Sequence, residues 1–218
     1  MTLSGSSSPG RATASQAVGS GFESRLPLIL NTMINLKIIT ASTRPGRKGP
    51  LISQWVTDVA KSSPDFNVEL LDLAVINLPF LDEPHHPRQQ NYLNEHTKHW
   101  SKTISEADVF IIVTCEYNYG FPAPLKNAID FLHREWFYKA VGIVSYGGLA
   151  GGTRAVQMLK LVLTTLKMTP LVEGVAIPFF DSHIKDGAFL ANEAMNNGLN
   201  GMLKELTKVD KVLRVLRN

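Results

Sequence analysis

Cysteine is almost absent from this 218-residue chain, which contains only Cys115. A single cysteine excludes a disulfide within the chain, and it excludes zinc or iron–sulfur sites that need several thiolates. Because such scarcity is typical of proteins in a reducing compartment, we expect a cytoplasmic location. The sequence also has no apolar run long enough to span a bilayer, since polar residues and a proline interrupt the apolar stretch 26–39. We therefore expect no membrane partner.

The sequence also lacks a strong excess of either positive or negative charge. The 22 basic and 19 acidic residues give a formal charge of +3, with no long basic block, so we expect no nucleic-acid partner. The chain is 44% apolar, which is enough for one sizeable core. Residues 1–32 lack a hydrophobic period and predict a flexible leader or tail, followed by one domain over residues 33–218. The leader fits either an organellar transit peptide or a segment added to the natural chain.

The most informative segment follows the first predicted strand, which ends near Ile39 and precedes a helical pattern that begins near Leu51. It combines hydroxyls, three cations and two glycines with a helix N-terminus, and all of these can bind an anion. For any one residue the alternative is an ordinary solvated turn. As a group, they predict a phosphate-binding loop, and the residues that we assign to it are Ser42, Arg44, Arg47, Lys48 and Gly49.

Two familiar phosphate-binding motifs are missing from this loop. It lacks the Gly-Lys-Ser/Thr ending of a nucleoside-triphosphate loop and the three-glycine fingerprint of a dinucleotide fold. The pattern instead suits the phosphate of a mononucleotide at the carboxyl end of a strand in a flavodoxin-like sheet.

Alternating patterns predict five parallel strands and intervening helices, that is, an α/β three-layer sandwich with sheet order 2-1-3-4-5. The first predicted strand ends near residue 39. The other four cover residues 67–73, 108–114, 140–145 and 171–177. A last helix is predicted over residues 188–206. It is followed by a mixed apolar and basic tail, 209–216, that packs on the domain or on a second subunit.

Two more loops follow buried strands and should converge with the first at one edge of the sheet. They offer aromatic rings and glycine-freed backbone amides, which can border a flat ring. Their candidate residues are Cys115, Glu116, Tyr117, Asn118 and Tyr119 in one loop, and Ser145, Tyr146, Gly147 and Gly148 in the other. A ligand with an anionic end and a flat end is implied, and flavin mononucleotide (FMN) meets both requirements.

Other chemistry is weakly supported by the sequence. Two pairs of histidines, His85 with His86 and His96 with His99, have no further ligand cluster beside them, so we assign no metal site. Cys115 has no histidine placed beside it by the sequence, and we interpret it as a small buried residue rather than as a nucleophile or redox sensor. Glu116 is interpreted as a structural hydrogen-bond acceptor rather than as a general base.

Three motifs resemble signatures of the NADPH-dependent FMN reductase family, and the resemblance covers about residues 34–207. The motifs are Ser42-Thr43-Arg44-Pro45-Gly46-Arg47, Glu116-Tyr117-Asn118 with Leu125-Lys126-Asn127-Ala128-Ile129-Asp130, and Ser145-Tyr146-Gly147-Gly148. The chain departs from the family by having Cys115 where a proline is common and Ala41 where a glycine is common. These departures concern loop detail and redox tuning.

The resemblance implies a flavodoxin-like fold, non-covalent FMN, NADPH or NADH as electron donor, and a homodimer or homotetramer. The electron acceptor would be a quinone, free flavin or similar small molecule. Ser42, Arg44 and Arg47 would serve the phosphate, the Glu116-Tyr117-Asn118 motif would border the ring, and Tyr146 and Gly147 would line its other side. No catalytic side chain is assigned, because the cofactor carries the hydride. A flavodoxin-type electron carrier and an FMN-binding regulatory protein are the alternatives.

Overall fold

The computed structural model describes Met1, Thr2 and residues 33–217. The predicted leader or tail, residues 1–32, therefore lies almost entirely outside the described residues. In the described part of the chain, no helix has the length and apolar character needed to cross a membrane.

Five parallel strands form the central sheet in the order β2-β1-β3-β4-β5, which confirms the predicted topology. The strands are β1 (Ile34–Thr40), β2 (Phe66–Asp72), β3 (Val109–Cys115), β4 (Ala140–Tyr146) and β5 (Thr169–Ile177). Every residue of β3 and β4 is buried, as expected for central strands with helices on both faces. A separate two-stranded hairpin contains β6 (Ile184–Lys185) and β7 (Ala188–Phe189).

Helices cover both faces of the sheet and complete a three-layer sandwich. They are α1 (Gly49–Lys61), α2 (Leu73–Ile76), α3 (Glu95–Ser105), α4 (Ala123–Asp130), α5 (Thr153–Thr165) and α6 (Glu193–Leu213). One hydrophobic core lies between the sheet and the buried sides of α1 and α6. A second core lies on the opposite face, where α3, α4 and α5 pack against the sheet.

The predicted start and end of the last helix were wrong. Residues 188 and 189 pair in the hairpin as β7, and α6 begins only at Glu193, where the Asn192 side chain accepts a hydrogen bond from the Met195 N–H. The helix then continues past residue 206, because Val209 and Leu213 extend the face that packs on the core. The tail therefore packs on its own domain.

Ion pairs attach the end of the chain to the amino-terminal edge of the sheet. Arg217 donates a hydrogen bond of 2.7 Å to the backbone carbonyl of Asp108, and it also pairs with the buried carboxylate of Asp210. Arg214 pairs with the same carboxylate at 2.7 Å. These contacts lie near the start of β3, opposite the edge where the candidate loops are found.

Two glycines near the sheet–α6 contact give a matched test of this packing. A methyl group at Gly142 would lie 2.4 Å from Met202 Sδ, whereas one at Gly201 would have no atom within 4 Å. We expect Gly142→Ala to lower the free energy of unfolding by about 1–3 kcal/mol through overpacking. Gly201→Ala should raise it by up to about 1 kcal/mol, because alanine favours a helix interior. Urea denaturation measures both, and equal effects would contradict this packing.

Candidate functional site

A cavity of about 250 Å³ lies at the carboxyl edge of the sheet, and the loops after β1, β3, β4 and β5 all contribute to its lining. The three loops singled out from the sequence are thus brought together, with a fourth beside them. The lining residues are Arg44, Gly46, Arg47, Lys48, Cys115, Glu116, Tyr117, Tyr146, Gly147, Gly148, Phe180 and Asp181.

The cations of the β1 loop have different surroundings. Arg47 donates hydrogen bonds of 2.8 Å to both carboxylate oxygens of Asp72 and to the Ser42 carbonyl, so it holds the loop against the end of β2. Arg44 and Lys48 are exposed, and neither forms an ion pair with another described residue. The N-terminus of α1, which follows Lys48, has no side-chain cap. This side of the cavity therefore offers two cations and a helix N-terminus to an anion.

Tyr146 connects the β1 and β4 loops beneath the cavity. Its hydroxyl donates a hydrogen bond of 3.1 Å to the buried Ser42 Oγ, and burial raises the pKa of the phenol. A methyl group at Gly49 would lie 2.4 Å from Ser42 Oγ and 2.8 Å from the Tyr146 hydroxyl, which explains the glycine at that position. The Tyr146 residue is only 3% exposed and packs edge-on against Phe180, which leaves little of its ring for stacking on a ligand.

The β3 loop contains a tight turn over residues 117–120. Tyr117 and Gly120 exchange backbone hydrogen bonds of 2.8 and 2.9 Å, while Asn118 and Tyr119 both have positive φ angles, 50° and 71°. Two consecutive left-handed residues match the type I′ hairpin turn, in which a tyrosine is an unusual occupant. Burial raises the pKa of Tyr117 to about 12, so its hydroxyl stays protonated at neutral pH. Tyr117 lines the cavity, whereas Asn118 and Tyr119 do not.

Glu116 is engaged by the start of α5. Its carboxylate accepts a hydrogen bond of 2.7 Å from Arg154 Nε and longer ones from the backbone N–H groups of Arg154 and Ala155. The hydrogen bond from Arg154 is the main reason that the pKa of Glu116 is lowered. These contacts agree with a structural acceptor and leave the carboxylate poorly suited to act as a base. The neighbouring Cys115 thiol is free and buried.

The three polar groups expected from the β4 loop, the Ser145 hydroxyl and the N–H groups of Gly147 and Gly148, differ in availability. Ser145 Oγ donates a hydrogen bond of 2.8 Å to the Gly151 carbonyl and does not line the cavity. The Gly147 N–H donates to the Ile177 carbonyl at 3.2 Å. The Gly148 N–H has no hydrogen-bond partner among the described residues, and it is therefore the amide of this pair that remains available to a ligand.

Sequence reasoning missed the loop after β5. Phe180 and Asp181 line the cavity, and hydrogen bonds from the N–H groups of Phe179 and Phe180 to the carbonyls of Gly148 and Gly147 attach this loop to the β4 loop. The available signal was an aromatic pair directly after the last predicted strand. Among the described residues, no group of three or more His, Cys, Asp or Glu side chains is placed to hold a metal ion.

The cavity satisfies the two requirements of FMN. Arg44, Lys48 and the α1 N-terminus suit a phosphate, while Tyr117 and the Gly148 N–H suit the edge of a flat ring. A family model described as NADPH-dependent FMN reductase matches residues 34–181. The chain belongs to the NADPH-dependent FMN reductase family.

Individual relatives agree with this family assignment. An NAD(P)H-dependent FMN reductase of Schizosaccharomyces pombe is 41% identical over 154 residues, which cover 69% of this chain and 76% of that protein. An NAD(P)H:quinone oxidoreductase of Solanum tuberosum is 45% identical over 64 residues, which cover 28% of this chain and 33% of that protein. The NAD(P)H:(acceptor) oxidoreductase FerB of Paracoccus denitrificans shares the fold, with a TM-score of 0.66, 18% identity, and coverage of 82% of this chain and 98% of that one.

The Tyr146 hydroxyl provides a test of the connection between loops in this FMN reductase family member. Tyr146→Phe leaves the buried Ser42 Oγ without its donor, so we expect the free energy of unfolding to fall by about 1–2 kcal/mol. Tyr138→Phe is the matched control, because the hydrogen-bond partner of the Tyr138 hydroxyl among the described residues is the exposed Lys167 side chain. Chemical denaturation measures the free energy of unfolding of both variants. Equal losses of stability would contradict a particular stabilising role for the contact between Tyr146 and Ser42.

Proposed function

We propose that this family member transfers hydride equivalents from NADPH or NADH to a quinone, free flavin or similar small acceptor. The observation that carries the proposal is the convergence of free cations and an aromatic loop on one cavity at the carboxyl edge of the sheet. FMN, when bound, supplies the hydride chemistry. The protein has to bind and orient reactants, and it needs no acid, base or nucleophile of its own.

The residues of the cavity have distinct proposed roles. Arg44 and Lys48 bind the FMN phosphate together with the N–H groups at the start of α1. Arg47 contributes by holding the same loop through Asp72. Tyr117 borders the ring, and the Gly148 N–H is the amide that can stabilise negative charge on the reduced ring.

Assembly and location are further parts of the proposal. We expect a homodimer or homotetramer, supported by an apolar groove between the loop at residues 81–87 and the ends of α4 and α5. Exposed Leu161 of α5 adds apolar surface to the same side of the sheet. Light scattering coupled to gel filtration measures the assembly. The single cysteine supports a cytoplasmic location, which cell fractionation tests.

Arg44 gives a direct test of phosphate binding. Arg44→Ala removes a cation that has no ion-pair partner among the described residues, so we expect the dissociation constant for FMN to rise about tenfold. Quenching of flavin fluorescence during titration of the apoprotein measures this constant. Arg134→Ala is the control, because Arg134 is an exposed arginine in a different cavity. Unchanged affinity in Arg44→Ala would remove Arg44 from the phosphate site.

Turnover separates an enzyme from an electron carrier. We expect the FMN-loaded protein to oxidise NADPH steadily when a soluble quinone is present and no other reductase is added. A flavodoxin-type carrier would need such a reductase, and it would benefit from an acidic surface that the +3 charge of this chain does not suggest. The measurement is the fall in NADPH absorbance at 340 nm. Typical enzymes turn over on the order of 1–10³ times per second. Firm FMN binding without turnover would favour a regulatory protein.

A further inference from the structure

The start of α5 is capped by a residue from another loop. The residue before the helix is Gly152, which has no side chain to accept hydrogen bonds from the first N–H groups. The Glu116 carboxylate fills this role from the end of β3, since it accepts hydrogen bonds from the N–H groups of Arg154 and Ala155. A carboxylate at a helix N-terminus is favoured both as an acceptor and as a negative charge. The contact joins the loop after β3 to the helix that follows the β4 loop.

Arg154 reaches both sides of this contact. Its Nε–H donates a hydrogen bond of 2.7 Å to Glu116 Oε1, and its Nη2 contacts the same oxygen. The guanidinium carbon also lies 4.1 Å from the centre of the Tyr119 ring, a cation–π distance. Arg154 therefore contacts the residue before the 117–120 turn and a residue inside it. The Glu116 side chain is 8% exposed, so the carboxylate is largely shielded from competing water.

The turn held in this way is a strained one. Asn118 and Tyr119 both adopt positive φ, which asparagine tolerates but which a bulky residue such as Tyr119 adopts only when its surroundings impose it. Its own constraint is the pair of backbone hydrogen bonds between Tyr117 and Gly120. Contacts from outside the turn add to this constraint: the Glu116–Arg154 pair, the Arg154–Tyr119 contact, and the Arg44 guanidinium carbon, which lies 6.0 Å from the centre of the Tyr117 ring.

We propose that Glu116 and Arg154 are positioning residues for the cofactor site. They hold the 117–120 turn against α5, and so they set Tyr117 at one side of the cavity relative to Gly148 at another. Neither residue needs to contact the cofactor for this role. The inference rests on the proposed function, because the positioned side chains serve FMN.

The test uses the full-length apoprotein and three variants: Glu116→Gln, Arg154→Gln and the double variant. We expect each single variant to raise the FMN dissociation constant about tenfold, because a charge-assisted contact between the largely shielded Glu116 carboxylate and the half-exposed Arg154 is lost. The FMN dissociation constant of the double variant should be about equal to the larger of the two single-variant constants, since both changes remove the same contact. Glu95→Gln is the control, because it makes the same change in the exposed Glu95–Lys98 pair at the start of α3 and does not touch the cavity.

Hydrogen exchange of the apoprotein gives a readout that does not depend on FMN. Segment 116–120 and the first turn of α5 should exchange about tenfold faster in each single variant and at the wild-type rate in Glu95→Gln. Unchanged exchange at 116–120 would overturn the positioning role, whatever the FMN affinity. An affinity loss in Glu116→Gln that Arg154→Gln does not share would overturn it too, because it would indicate direct contact of Glu116 with the cofactor. Faster exchange in the variants, together with a wild-type protein that binds no FMN, would confirm that the contact holds the turn and would contradict the proposed function instead.

Discussion

The lateral pairing of β1, β3 and β4 is the constraint on which the candidate site depends. In the parallel register, Thr40 pairs with Val113 and Cys115 pairs with Tyr146, so three strands end close together at the same edge. Right-handed crossovers then return the chain to the opposite edge each time. Residues that are some 100 positions apart in sequence therefore meet, as Ser42 and Tyr146 do through their hydrogen bond.

Polar contacts between loops make this edge a defined cavity. Arg47 and Asp72 hold the β1 loop to β2, and Tyr146 connects it to β4. Glu116 connects the β3 loop to α5. Other groups at this edge have no such partner among the described residues, and they include Arg44, Lys48, the N-terminus of α1 and the Gly148 N–H. An anionic cofactor with a flat ring fits what remains.

The sequence predicted the sheet well because its signals are local. The continuous apolar run of β3 and the hydroxyl-rich and glycine-rich loops can each be recognised within about ten residues. The roles of Arg47 and Ser145 could not be predicted in the same way, since their partners become neighbours only in the folded chain. Arg47, which is predicted to serve the phosphate, lines the cavity, but its pairing with Asp72 arises only after β2 pairs with β1.

The hairpin before α6 was not predicted from the sequence, for a different reason. Gly187, with φ of 78°, turns the chain between β6 and β7, while the apolar residues Ala188 and Phe189 resemble the start of a helix when no pairing is known. Phe180 and Asp181 were missed because residues 178–183 contain no glycine, whereas each of the three loops predicted from the sequence does. Their place in the cavity follows from hydrogen bonds to the β4 loop.

The visible absorption spectrum tests the central claim most directly. We predict that the protein is yellow as purified or after incubation with FMN and gel filtration, and that NADPH bleaches the colour in the absence of oxygen. A folded protein that stays colourless after reconstitution with FMN would contradict it.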